Sequence, residues 1–246
     1  MKRRDALFAA LALLFVWQIL AMVVSLPILP QPVTVFNVLA RELQNGLWNH
    51  FLFSLWRVVA GMTLSVLVAA PVGLAIGGSD RLSRLISPLI YLLYPIPKVV
   101  FVPVVILFLG IGDMAKIAIM FLILFFQIVV LVRDQAAGLP PQLIQSLRSL
   151  GAGRRALFRF VYVPASLPAI LTALRQSIGT AVAVLYITEL SATKYGLGYY
   201  IYYNGSTLLD YPAMYAGVVA MSLLGLGMYF GVDLVERKWC QWQFVT

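Results

Sequence analysis

The chain has 246 residues, 62% of them hydrophobic and only 11% charged, with a formal net charge of +9 and a mean hydropathy of +0.93. A soluble domain of this length needs about a quarter of its residues charged, so the composition excludes a soluble globular protein and defines an integral membrane protein. One cysteine, Cys240, and one histidine, His50, exclude an internal disulfide framework and a Cys/His metal cluster.

A bilayer core about 30 Å thick takes roughly 20 helical residues to cross. Apolar runs of that size fall at about residues 7–26, 51–77, 85–109, 115–132, 166–190 and 212–234, with a polar stretch, 133–165, between the fourth and fifth. The expectation is an all-α membrane protein with six transmembrane helices in a single domain, 1–246. The first run follows Met1-Lys2-Arg3-Arg4, a beginning shared with signal peptides; its length and the lack of a small-residue cleavage pattern before LPILPQP favour a retained helix. In the second run, Gly73 and Gly77 have the small-xxx-small spacing that lets helix backbones approach, and Gly227 and Gly231 repeat it in the sixth. The third run holds Pro95, Pro97 and Pro103 around Lys98, each proline removing a backbone donor. A bend beside a passage and a kink packed within the bundle both fit.

The polar stretch contains QSLRSLGAGRRALFRFVYVPASLPAILTALR, Gln145 to Arg175, which reads as a short helix, a glycine turn and a second, basic helix. Leu150, Ala152, Leu157 and Phe158 offer an apolar face to a partner's groove, and Gly151 permits the tight turn. Arg148, Arg154, Arg155 and Arg159 either pair with acids around that groove or mark the inner membrane surface. On the fifth run Ser177, Thr180, Val184 and Thr188 recur at helical spacing, with Ala173 and Ala181 on the same side and Glu189 at the outer end. Such a stripe suits a passage for a hydrated solute. The same hydroxyls also serve to bond back to their own helix. The segment after it is dense in tyrosine, which fits an interfacial aromatic belt, a gate, or a cradle for a cationic solute.

With six spans and the amino terminus inside, Lys2, Arg3, Arg4, Arg81, Arg84, Arg133, Arg148, Arg154, Arg155, Arg159, Arg237 and Lys238 fall on the cytoplasmic side. Only Arg41, Lys116 and Lys194 fall outside, while Arg57, Lys98 and Arg175 lie in or near span ends. The bias predicts cytoplasmic termini and a cytoplasmic polar loop, and explains the net charge without nucleic acid. No phosphate-cradling P-loop, HExxH helix or GxSxG elbow is present. Among the acids, only Glu189 comes near mid-membrane, which disfavours the alternative of an ATP-independent secondary transporter.

The polar loop resembles the signature of membrane subunits of binding-protein-dependent ABC importers: a glutamate and two alanines, a glycine four residues on, then an isoleucine-x-leucine-proline ending. Gln145, Ser146 and Leu147 stand at the first three positions, then Gly151, then Val161-Tyr162-Val163-Pro164. The spacing is kept; the glutamate and both alanines are replaced, so an ion pair from that glutamate to the motor is not carried over. SLGAGRRALFRFVYVPASLPAILTALR is similar to the nitrate/taurine/sulfonate/bicarbonate subgroup, as are LPQPVTVFNVL, SLWRVVAGM, YPIPKVVFVPVVILFLGIGDMAKI and TELSATKYGLGYYI.

The resemblance implies a type I importer permease fold with cytoplasmic coupling helices, in the inner membrane of a bacterium or archaeon. It implies a homodimer, two separate ATPase subunits on the cytoplasmic loops, and an extracytoplasmic solute-binding protein. The chain itself is then not an enzyme and has no cofactor, since ATP and magnesium are bound by the ATPase. The coupling residues implied are Gln145, Leu150, Gly151, Ala152, Arg154, Arg155, Leu157, Phe158 and Pro164; Ser177, Thr180, Thr188 and Glu189 are the candidates for the path. The subgroup carries small anions and also flat, vitamin-like heterocycles.

Overall fold

The structure is a computed structural model that describes residues 3–190 and 193–243. The side chains of Arg3, Ala6, Leu7, Arg154 and Gln243 lie outside the described residues, as do the expectations that concern Lys2 and Arg154. Among the described residues every regular element is helical. The elements are α1 (Arg3–Val24), α2 (Pro32–Glu42), α3 (Trp48–Gly77), α4 (Asp80–Leu93), α5 (Val102–Leu109), α6 (Asp113–Ala137), α7 (Pro141–Ser149), α8 (Arg154–Leu157), α9 (Val163–Leu190), α10 (Leu197–Tyr202) and α11 (Tyr211–Trp239). The chain forms two compact units, residues 1–55 with 189–224, and residues 56–188 with 225–246.

Among the described residues, four continuous helical stretches are long and apolar enough to cross a bilayer: Pro32–Gly77, Asp113–Ala137, Arg155–Leu190 and Tyr211–Trp239. The third expected crossing is broken. α4 and the stretch Lys98–Leu109 are apolar enough together, but they meet at 77° across Tyr94, Pro95, Ile96 and Pro97. Pro95, and then Pro97, has no N–H to continue the ladder, which ends α4. Pro103 lies in the first turn of α5, where a missing donor has no partner to lose. α1 has 22 residues, enough for about 33 Å at the helical rise of ~1.5 Å per residue. Its strongly apolar part, Phe8–Val24, is shorter than the other crossings.

In the unit of residues 56–188 with 225–246, α6 is the central helix. Ile119, Met120, Leu124, Ile128, Val129 and Val132 on it are fully buried. α3 reaches it through glycines: a Cβ at Gly73 would stand 2.9 Å from Val132 Cβ, and one at Gly77 would stand 2.7 Å from Ala136 Cβ. Between helices in lipid, where apolar burial gives little drive, this close approach supplies the dispersion contacts that hold them. The same spacing at Gly227 and Gly231 meets nothing within 4 Å.

This unit also carries acids that the reading of mid-membrane charge omitted. Arg57 on α3 pairs with Asp113 at the start of α6 at 2.7 Å. Arg175 on α9 lies 3.2 Å from Asp233 and 3.0 Å from Glu236 on α11. Arg133 pairs with Asp134 and Tyr91. Asp113, Asp233 and Glu236 are neutralised by arginines far away in sequence, so their charges are invisible to a linear count.

Candidate functional site

The stretch 138–165 is built by helix-end chemistry. Pro141 occupies the first turn of α7, where it lacks only a donor that would be unpaired anyway. The helix ends where Gly151 takes φ +79, donating to Arg148 O at 3.0 Å, while Ala152 N donates to Leu147 O at 3.1 Å. That pair of bonds is a Schellman cap, and its left-handed residue is the reason a glycine stands there. Nothing lies within 4 Å of a Cβ placed at Gly151, so φ alone sets the requirement. The basic second helix is not separate from the long apolar helix that follows: α8 runs through a π-helical turn, Phe158–Tyr162, directly into α9.

The expected apolar face divides in two. Leu150 is 84% exposed at the turn and Phe158 38% exposed, with Arg155, Gln145 and Pro164 also on the surface. Leu157 is instead buried with Leu139 and Val161, and Ala152 packs against that cluster together with Ile144 and Leu147. Leu157 therefore holds the loop's shape and does not present a docking surface. An apolar groove of about 400 Å³ is lined by Leu143, Leu147, Phe160, Val161, Pro164 and Trp242.

On α9 the expected stripe turns mostly inward. Ser177 has no exposed surface and its hydroxyl donates to Ala173 O at 2.8 Å; Thr188 is buried and donates to Leu185 O at 3.0 Å. A hydroxyl already bonded to its own helix, with no surface, does not line an open passage in this conformation. Thr180 is the member of the stripe that reaches the surface, beside the exposed Gln176, Gly179 and Ala183.

Glu189 is fully buried, in the unit of residues 1–55 with 189–224. The Ser54 hydroxyl lies 2.9 and 2.8 Å from its two oxygens, and Gly198 N donates to Oε2 at 2.9 Å. Leu197 N in turn donates to Ser54 Oγ at 2.8 Å, and Gly196 N to His50 Nδ1 at 3.1 Å. Gly196 has φ +145, and a Cβ there would sit 2.6 Å from both carboxylate oxygens. The carboxylate thus ties the start of α10 to α3, and it is no free charge on a path. Around it the rings run as a ladder, Phe53 stacked on Tyr195 at 5.1 Å, His50 on Tyr199 at 6.1 Å and Tyr199 on Tyr203 at 5.6 Å. Tyr200 donates to Glu42 at 3.4 Å, and burial, then the nearby Glu42 charge, pushes its phenol well above the usual range.

Sequence reasoning missed Ser54 and His50 as partners of the glycine-rich segment. Their signal was present as TEL and YGLG, an acid followed at short range by paired glycines, but nothing local pointed to α3.

Several apolar helices, one crossing broken, and an exposed turn continuous with α9 are features that suit a transporter's membrane subunit. Residues 61–240 match the family described as binding-protein-dependent transport system inner membrane component, and the chain belongs to that family. It is a permease subunit of an ABC transporter, working with a separate ATPase and a binding protein. The taurine transport system permease of Escherichia coli K12, TauC, is 30% identical over 80% of this chain and 71% of its own. The protein MJ0413 of Methanocaldococcus jannaschii is 34% identical over 93% of this chain and 88% of its own. A chain of the inward-facing MetNI methionine ABC transporter matches the structure at a TM-score of 0.69, with 20% identity, over 80% of this chain and 98% of that one. The fold is that of a type I ABC importer permease.

Proposed function

We propose that the chain forms the passage of an importer for a small anion and acts as a homodimer. Two ATPase subunits, which bind ATP and magnesium, grip the 145–164 loop from the cytoplasmic side, and an extracytoplasmic binding protein delivers the solute. Both termini face the cytoplasm. The observation that carries this reading is the turn at Gly151, which holds Leu150 outward on a capped helix end while Leu157 anchors the loop from beneath. An apolar side chain held rigidly in solvent is what a groove on a partner needs, because its ordering is already accomplished. ATP binding then closes the motor, and α7 with α8 carry that closure into α9, with which α8 is continuous. Arg155 and Arg159 add positive charge beside the turn. The anion assignment draws on the taurine permease among the relatives, whose named solute carries a sulfonate. Thr180 is the residue of the α9 stripe assigned to the path.

Reconstitution tests this. In proteoliposomes containing the chain, its ATPase and its binding protein, uptake is expected to require ATP, and the ATPase is expected to co-purify with the chain. Uptake driven by an ion gradient without ATP would establish a secondary transporter instead.

A further inference from the structure

Lys98 differs from three arginines of the same unit. Arg57, Arg133 and Arg175 each face a carboxylate. Lys98 sits in the break between α4 and α5 with no carboxylate partner among the described residues. Its ammonium donates to Leu93 O at 2.8 Å and to Tyr94 O, and lies 4.7 Å from the centroid of the Phe126 ring and 5.4 Å from that of Tyr94. An ammonium has three N–H donors, and two are used. Pro97 lacks the N–H that would reach Leu93 O in a continued helix; Ile96 N donates there at 3.2 Å instead, and the lysine adds a second donor at the same carbonyl.

The position is deep in the membrane segment. The apolar part of α4, from Leu85 to Leu93, gives about 14 Å of helix at ~1.5 Å per residue, which brings the break toward the middle of a core of about 30 Å. A cation at that depth without a counterion is costly, and such residues mark ion and substrate routes. Broken helices at membrane depth recur where a solute is held, with the backbone freed at the break facing a cavity. Lys98 is only partly buried, so its remaining donor has an approach.

We propose that Lys98 is the contact in the passage for a small oxyanion, of the sulfonate, carboxylate or nitrate type, which receives the third N–H. This rests on the permease reading above and names the residue that would select charge along the path. The two carbonyls at the negative end of α4 soften the positive charge, so that an anion is attracted without being trapped; a passage needs that balance. The rings of Tyr94 and Phe126 hold the ammonium in place.

The test is independent of the natural solute. A single cysteine is placed at Ile96, in the break, in a Cys240→Ser background, and the assembled transporter is reacted with the anionic sulfonatoethyl or the cationic trimethylammonioethyl methanethiosulfonate. Rates are taken relative to those with a free thiol. The anionic reagent is expected to react at least about tenfold faster, the range that focused charge in a cleft produces. Sodium methanesulfonate should slow it, Lys98→Met should abolish the preference, and Lys98→Arg should keep it. Equal rates, labelling by neither reagent, or a preference that survives Lys98→Met would show that the lysine only caps α4. If Lys98→Met fails to assemble, the reagent ratio and methanesulfonate protection in the Lys98 protein decide the matter alone. Failure of the permease reading would appear separately, as absence of the co-purifying ATPase.

Discussion

The Glu189 knot and the Gly151 turn solve opposite problems. In the knot, a carboxylate with no exposed surface gathers a serine hydroxyl and the backbone of a glycine-rich segment, so the polar groups are satisfied within the chain. At the turn the backbone is satisfied by its cap, yet Leu150 stands 84% exposed. The knot is closed and the turn is unfinished. A region that completes its own contacts fixes shape, and one that completes only its backbone is prepared for something that arrives from outside.

The sharpest way to break this comparison is to remove the carboxylate. Glu189→Ala leaves the Ser54 hydroxyl and Gly198 N–H buried without their acceptor, at about 1–3 kcal/mol for each group. Thermal unfolding in detergent should register a large loss, with Glu189→Gln milder because one oxygen remains. Gly196→Val should behave like Glu189→Ala, since positive φ and the carboxylate both oppose a side chain there. Equal tolerance of all three would mean that the knot does not hold the segment.

At the turn the pattern is expected to reverse. Gly151→Val places a β-branched residue at φ +79, a strain of roughly 1–2 kcal/mol confined to an exposed loop. The membrane helices should survive it, while ATP hydrolysis stimulated by the loaded binding protein falls toward its basal rate. A melting loss as large as that of Glu189→Ala, with coupling intact, would erase the distinction between the two regions.

Smaller effects sharpen the account of α9. Thr180→Trp should block uptake without loosening the ATPase, whereas Ser177→Ala, which removes one bond from a hydroxyl to its own helix, should cost about 1 kcal/mol or less and leave uptake unchanged. Blocked uptake from Ser177→Ala would restore it to the path. The smallest effect concerns Cys240, which is buried and whose thiol is pushed up by that burial and then by Glu236. It should react with a maleimide far more slowly than a cysteine placed at the exposed Ser149, so the wild-type background is nearly silent in labelling experiments. That contrast also reports on topology, because an impermeant reagent outside intact cells should leave the Ser149 position unlabelled.

Much of this was legible from the chain because the bilayer imposes a simple code. Length and hydropathy located the apolar stretches, Pro95 and Pro97 marked the broken helix, and the spacing from Gln145 to Pro164 marked the turn and its glycine. The sequence could not tell which side of a short helix faces inward. Leu150 and Leu157 are the same residue type seven positions apart, and only the cluster with Leu139 and Val161 separates anchor from exposed tip. The stripe Ser177, Thr180 and Thr188 divides for a similar reason, with Ser177 and Thr188 buried and Thr180 at the surface: periodicity defines a face without saying whether each residue on it meets water or a neighbouring helix. Ion pairs such as Arg57 with Asp113 join positions 56 residues apart, and no local pattern announces them.

Two apolar residues offer the most direct test of the central claim, that the exposed turn is where a motor grips the chain. Leu150 is 84% exposed at the turn and Leu107 is 82% exposed on α5, so exposure alone does not distinguish them. A photo-crosslinking residue is placed at each position in turn in the assembled transporter, and the products are identified by mass. The account predicts that position 150 captures the ATPase subunit and position 107 does not. Capture of the ATPase from 107, or none from 150 in a complex that still hydrolyses ATP in response to the loaded binding protein, would contradict it.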